Sequence, residues 1–147
     1  HFADRGPIAV ILGDNIIEKN IRKAADKFRA QKEGARILLK EVTDPQRFGV
    51  PVFDGEKIIR IEEKPSKPAS NYAVTGIYMY DARVFEFIKS LKPSQRGELE
   101  ITDVNNFYIE EGKMEWDMLD GWWSDAGTFE SLQAAGQRVA KTGANKL

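Results

Sequence analysis

At 147 residues, with 31% charged and 41% hydrophobic side chains, the chain has the size and composition of one soluble globular domain with a real core. A net charge of −1 gives no basic excess for a nucleic-acid partner, and no apolar run is long enough for a membrane span or a signal peptide. With no cysteine and with His1 as the only histidine, disulfides, thiolate metal sites, cysteine nucleophiles and histidine triads are excluded, and chemistry is left to carboxylates, Lys, Arg and a bound metal.

The stretch from Ile8 to Asn15 reads I-A-V-I-L-G-D-N. Its apolar run, Ile8 to Leu12, predicts a strand covered on both faces, as in a parallel sheet. Ile17, Ile21, Ala24, Ala25 and Phe28 then recur at helical spacing, which predicts a helix from Ile16 to Lys32 ended by Gly34. Arg36 to Thr43 is the next strand, and Asp44-Pro45 opens a turn into Arg47-Phe48-Gly49-Val50. Val50 to Phe53 and Lys57 to Ile61 form a hairpin about Asp54-Gly55. Glu62-Glu63-Lys64-Pro65 stops its second strand, and Pro65 and Pro68 flank an exposed loop. Tyr72 to Asp81 is a long strand interrupted at Thr75-Gly76, and Ala82 to Leu91 is a short helix. After a polar loop, a helix from Ile101 to Glu110 buries Ile101, Val104 and Tyr108 and stops at Gly112. Lys113 to Leu119 is a strand, Asp120-Gly121 turns into Trp122-Trp123-Ser124-Asp125, and Thr128 caps a last helix that ends near Gly143. The alternation of strands and helices predicts an α/β fold: a layered mixed, mainly parallel sheet with helices on both faces. Residues 1–147 read as a single domain.

Several residues at the ends of these elements could carry chemistry. Asp14 and Asp125 each end a strand pattern, so the pair could hold one hard cation, and each could equally be a helix cap. Glu63-Lys64, fixed by Pro65, could set a cation on a phosphate and a carboxylate on hydroxyls, or be a solvated charged patch. Arg96 stands on a flexible loop, as an anion clamp or a surface charge. Trp122-Trp123 would wall a pocket or an interface.

In this order the motifs resemble the sugar-1-phosphate nucleotidyltransferases, in particular the short glucose-1-phosphate thymidylyltransferases. The resemblance rests on L-G-D-N at 12–15, R-F-G-V at 47–50, E-E-K-P at 62–65, Y-A-V-T-G-I-Y at 72–78, R-G-E-L-E-I-T-D-V-N at 96–105 and W-S-D-A-G-T at 123–128. It implies a nucleotide-diphospho-sugar transferase-like fold, with Asp14 and Asp125 as ligands of Mg²⁺. It implies that Gly49, Glu63 and Val74 line a sugar pocket, that Lys64 and Arg96 hold the sugar's phosphate, and that Trp123 stands beside the second metal ligand. Asp14, Lys64 and Arg96 would be the catalytic residues. The substrates would be a sugar 1-phosphate and a nucleoside triphosphate, glucose 1-phosphate and dTTP giving dTDP-glucose and pyrophosphate. A cytoplasmic location, no membrane or nucleic-acid partner and room for a homo-oligomer complete the expectation.

The family's glycine-rich loop, G-G-x-G-T-R-L, has no counterpart, because no Gly-x-Gly pair occurs in the sequence. Nor does the chain open on a methionine. The resemblance therefore implies an N-terminally truncated form, the C-terminal, sugar-phosphate and metal-binding portion of the domain, inactive alone. A non-catalytic sugar-phosphate-binding or regulatory module is the competing reading. A glycosyltransferase of related architecture is a third, which Glu63, Lys64 and Arg96 suit less well because they favour a free sugar phosphate.

Overall fold

The computed structural model describes residues 6–94 and 97–144. Its central strand is β6 (Tyr72–Tyr80), in which every residue but Tyr72 is buried. β-branched and aromatic side chains fill it, the types that pack best on a pleated surface. On one side β6 pairs antiparallel with β1 (Ile8–Ile11), and on the other antiparallel with β3 (Ala35–Glu41). β7 (Met114–Met118) then pairs parallel with β3, giving the order β1-β6-β3-β7.

The layering is mixed α/β, as the alternation of elements predicts, but only the β3–β7 pairing of this sheet is parallel, rather than most of it. The reason lies in the connections. Between β3 and β6 the chain makes a hairpin, β4 (Gly49–Asp54) with β5 (Lys57–Glu63), and comes back alongside antiparallel. A parallel neighbour needs a long crossover, and here that is supplied by α2 (Val84–Ser90) and α3 (Ile101–Glu110) ahead of β7. β1 also differs from the doubly covered strand its apolar run predicts. It is an edge strand of the described sheet with alternating burial, and Ile11 and Leu12 are 52% and 43% exposed.

Because strand side chains alternate, consecutive residues of β3 serve two cores. Ile37 and Leu39 pack with Val74, Tyr78 and Tyr80 of β6, with Phe87 of α2, and with Val104 and Tyr108 of α3. Leu38 faces the other way, with Ile77 and Met79, Ala24 of α1 (Arg22–Gln31), Ile17 and Trp123. Helices thus cover both faces. Burying one such aliphatic side chain contributes about 1.5–3 kcal/mol.

The early helix starts later than its periodicity predicts. Asn15–Ile17 form strand β2, paired antiparallel with β8 (Trp123–Asp125), and α1 begins only at Arg22. The β-branched pair Ile16-Ile17 takes the ladder offered by β8, while Ile21, Ala24, Ala25 and Phe28 keep the predicted apolar face. α1 ends at Gln31, and Gly34 follows at φ +95° with its Cα against the Lys113 carbonyl, where no Cβ would fit. The hairpin turn falls one residue late, at Gly55-Glu56, with Gly55 at φ +60° as a two-residue hairpin loop requires. Thr75-Gly76 leaves β6 continuous but shifts its register against β3, and the Thr75 hydroxyl donates to the Leu38 carbonyl at 2.9 Å. Thr128 caps α4 (Phe129–Thr142) in a reciprocal capping box with Ser131.

Candidate metal and substrate pocket

The β2–β8 ladder sets the two aspartates side by side. Asn15 stands opposite Asp125, Asp14 immediately precedes Asn15, and the Ala126 N–H donates to the Asp14 carbonyl at 2.7 Å. The Oδ2 of Asp14 and the Oδ1 of Asp125 lie 3.5 and 3.0 Å from the point where a Cβ on residue 127 would stand, so Gly127 keeps the cleft between them open. Neither aspartate caps a helix: α1 starts at Arg22, and α4 is capped by Thr128. Asp14 Oδ1 accepts from the Asn15 amide at 2.9 Å and Asp125 Oδ1 from the Gly127 N–H at 3.0 Å. The Oδ2 atom of each has no hydrogen bond among the described residues. Two oriented carboxylates, with no cluster of three acidic or histidine side chains among those residues, fit a small hard cation that completes its shell with water and phosphate.

Asp14, Asp125, Gly49, Glu63, Lys64, Val74 and Trp123 all border one cavity of about 190 Å³. Gly49 opposes Glu63 across the hairpin, and the Lys64 N–H donates to the Phe48 carbonyl at 3.0 Å. Lys64 adopts φ +43°, a conformation rare for a residue with a Cβ. In a regular strand Glu63 and Lys64 would point to opposite faces; leaving β geometry at Lys64 lets both border the cavity, with Nζ 3.9 Å from Glu63 Oε1. The Thr102 hydroxyl holds Glu63 by donating to Oε2 at 2.5 Å. Trp123 packs edge-on to Phe48, ring centroids 5.2 Å apart, and its indole N–H donates to Asn15 Oδ1 at 2.7 Å. Arg96 lies outside the described residues.

Sequence reasoning missed four participants. Tyr78, Thr102 and Asn105 border the same cavity from β6 and α3; in the sequence they read as core or surface residues of their elements. Burial, and then the negative charges of Glu63 and Asp14, push the Tyr78 phenol far up, so it stays a neutral hydrogen-bond donor. Asn15 ties three strands together: besides its bonds to Asp14 and Trp123, its Oδ1 accepts from the Gly76 N–H at 2.9 Å. Gly76 is glycine for want of space, since a Cβ there would stand 2.8 Å from Asn15 Cγ. A wider cavity of about 570 Å³ lies beyond the Phe48–Trp123 wall, lined by Lys40, Trp122 and Arg138. It shares Asp125 with the smaller one but reaches neither Lys64 nor Glu63, so the smaller cavity unites the carboxylate pair with the lysine.

Residues 1–142 match a protein family described as nucleotidyl transferase. Among curated relatives, a glucose-1-phosphate thymidylyltransferase of Neisseria meningitidis is 43% identical over 94% of this chain and 49% of its own length. One from Xanthomonas campestris is 44% identical over 91% of this chain and 47% of its own length. The chain thus spans about half the length of the curated relatives it matches. A crystal structure described as a glucose-1-phosphate thymidylyltransferase from Bacillus anthracis, in complex with sucrose, superposes with a TM-score of 0.88 at 52% identity, over 99% of this chain and 58% of that one. An apo UDP-glucose pyrophosphorylase superposes with a TM-score of 0.82 at 23% identity, over 95% of this chain and 56% of that one, a likeness of fold.

Proposed function

The chain belongs to the nucleotidyl transferase family, and on that premise we propose that it forms the sugar-phosphate and metal-binding portion of an enzyme joining glucose 1-phosphate to dTTP. The products are dTDP-glucose and pyrophosphate. The observation that supports this most is the meeting of Asp14, Asp125, Glu63 and Lys64 around one cavity, from three separate places in the chain: the turn before β2, strand β8 and the end of β5.

In this reading an oxygen of the sugar phosphate attacks the α-phosphorus of the triphosphate in line, the α–β phosphoanhydride bond breaks, and its electron pair leaves on pyrophosphate. No covalent enzyme intermediate forms. Lys64, with Arg96, neutralises the attacking dianion, which the triphosphate would otherwise repel. Glu63, braced by Thr102, accepts hydrogen bonds from sugar hydroxyls, while Gly49 and Val74 let backbone and a small side chain approach the ring. Asp14 and Asp125 would hold Mg²⁺, which when bound supplies charge neutralisation on the triphosphate. Much of the catalysis in such transfers comes from positioning and preorganised charge, and this sequence contains no glycine-rich phosphate loop.

The test is pyrophosphate release from dTTP and glucose 1-phosphate with Mg²⁺. It compares the 147-residue chain alone with the chain joined to the N-terminal half of one of its relatives. The expected result is no turnover by the chain alone, and turnover by the joined protein that Asp14→Asn or Lys64→Ala reduces by about a hundredfold or more. Undiminished turnover in both variants would overturn the assignment.

A further inference from the structure

On the wall of the cavity one buried amide nitrogen has no hydrogen-bond partner among the described residues. Asn105, on α3 one turn beyond Thr102, is 1% exposed and borders the cavity. Its Oδ1 accepts from the Tyr80 hydroxyl at 2.7 Å, but its Nδ2 is shut off from bulk water and has no hydrogen bond. Among the described residues only one other buried side-chain atom is in that state, Nη2 of Arg83, and it lies 3.0 Å from an Asp81 carboxylate oxygen. A buried donor left unpaired is destabilising, and a native fold that keeps one calls for an explanation. Among the described residues no acceptor reaches this Nδ2, and the cavity that Asn105 borders is the place from which a bound molecule can supply one. Turning the amide over would leave an oxygen unpaired instead, and a hydroxyl can satisfy either atom, because it both donates and accepts.

We propose that Asn105 is a specificity-determining residue, whose side-chain amide bonds one hydroxyl of the bound hexose 1-phosphate and selects against sugars lacking that hydroxyl. The inference deepens the sugar 1-phosphate reading and rests on it. Glu63 accepts from hydroxyls at the hairpin wall, and Asn105 meets the sugar from α3, so the two recognise it from different sides. A site built to bond a hydroxyl discriminates strongly against the analogue without it, because the protein group is then left unpaired.

The experiment is calorimetric titration of the 147-residue chain with glucose 1-phosphate and with analogues each lacking a single hydroxyl. Asn105→Leu alone would orphan the buried Tyr80 hydroxyl, so the variants are Tyr80→Phe, which keeps the amide, and Tyr80→Phe combined with Asn105→Leu, which replaces both partners by apolar groups of similar shape. The wild type and Tyr80→Phe should bind one analogue about tenfold more weakly than glucose 1-phosphate, the scale of one buried donor left unpaired. In the double variant that one difference should vanish and the differences for the other analogues should stay. Equal weakening for every ligand in the double variant would make Asn105 a packing residue only, and an unchanged preference would show that another group reads the hydroxyl; either overturns the inference. The side-chain amide resonance of Asn105 in the wild type provides a second readout, and it should shift with glucose 1-phosphate but not with the discriminated analogue. Bound ligand with an unmoved resonance also overturns the inference. Failure of the wild type to bind any sugar phosphate would instead overturn the sugar 1-phosphate reading, and this inference with it.

Discussion

Lys64 sits in a backbone conformation that disfavours every residue with a Cβ, on the wall of the cavity that Glu63 and the two aspartates share. Strain of this kind is of order 1 kcal/mol and persists where surrounding structure holds it; here the Lys64 N–H bond to the Phe48 carbonyl does so. Lys64→Gly should therefore leave thermal stability equal to or above wild type while weakening glucose 1-phosphate binding by roughly 1.5–3 kcal/mol, the range of a charged hydrogen bond. Calorimetry beside a melting curve checks both halves, and loss of stability without loss of affinity would contradict the account. The sequence carried Asp14, Glu63, Lys64 and Asp125 as recognisable short motifs at the ends of predicted strands. It did not single out Tyr78, Thr102 or Asn105, because Tyr78 reads as one more core residue of β6 and the membership of Thr102 and Asn105 depends on α3 lying against the hairpin. No local pattern encodes that contact.

Among the elements, the junction of α1–β3 with β6–α2 turns on Asp81. Its carboxylate accepts from the Gly34 N–H at 2.7 Å, the Tyr108 hydroxyl at 2.9 Å and the Arg83 side chain at 3.0 Å. Burial by itself would raise its pKa, but the bonds from Gly34, Arg83 and Tyr108 outweigh burial and hold it below the ordinary 3.8. The folded state then releases the proton more readily than the unfolded one, so this stabilisation is fully present above about pH 4 and is lost as the pH falls through the lowered value. Asp81→Asn should cost about 2–3 kcal/mol at neutral pH and flatten the acid limb of the stability curve, measured by urea unfolding across pH 2–7. An acid limb as steep as wild type would show that other carboxylates govern it.

Gly76 supplies a second test at this scale. Gly76→Ala would displace the Asn15 amide that orients Asp14, and loss of such an outer bond should weaken Mn²⁺ binding about tenfold by electron paramagnetic resonance. Unchanged Mn²⁺ affinity would mean that Asn15 does not orient the carboxylate. Element types were largely legible, α3 to the residue, since apolar periodicity and the stop signals at Gly112 and Pro65 agree. The start of α1 was not, because the ladder between Asn15–Ile17 and Trp123–Asp125 joins segments a hundred residues apart and overrides local periodicity.

In the whole molecule, a mixed sheet places a hairpin, a helix and a short two-stranded ladder around one small cavity. The parallel share of that sheet could not be read from apolar runs, since an edge strand and a doubly covered strand can share a composition and differ only in their neighbours. The central claim is that glucose 1-phosphate binds between Lys64 and the aspartate pair, and not in the wider cavity beyond the Phe48–Trp123 wall. Backbone amide shifts of the ¹⁵N-labelled chain, recorded as glucose 1-phosphate is added, test it most directly. The account requires changes concentrated at Gly49, Glu63, Lys64, Thr102 and Asn105, and much smaller ones with free glucose. Changes gathered instead at Lys40, Trp122 and Arg138, or no changes at all, would contradict it.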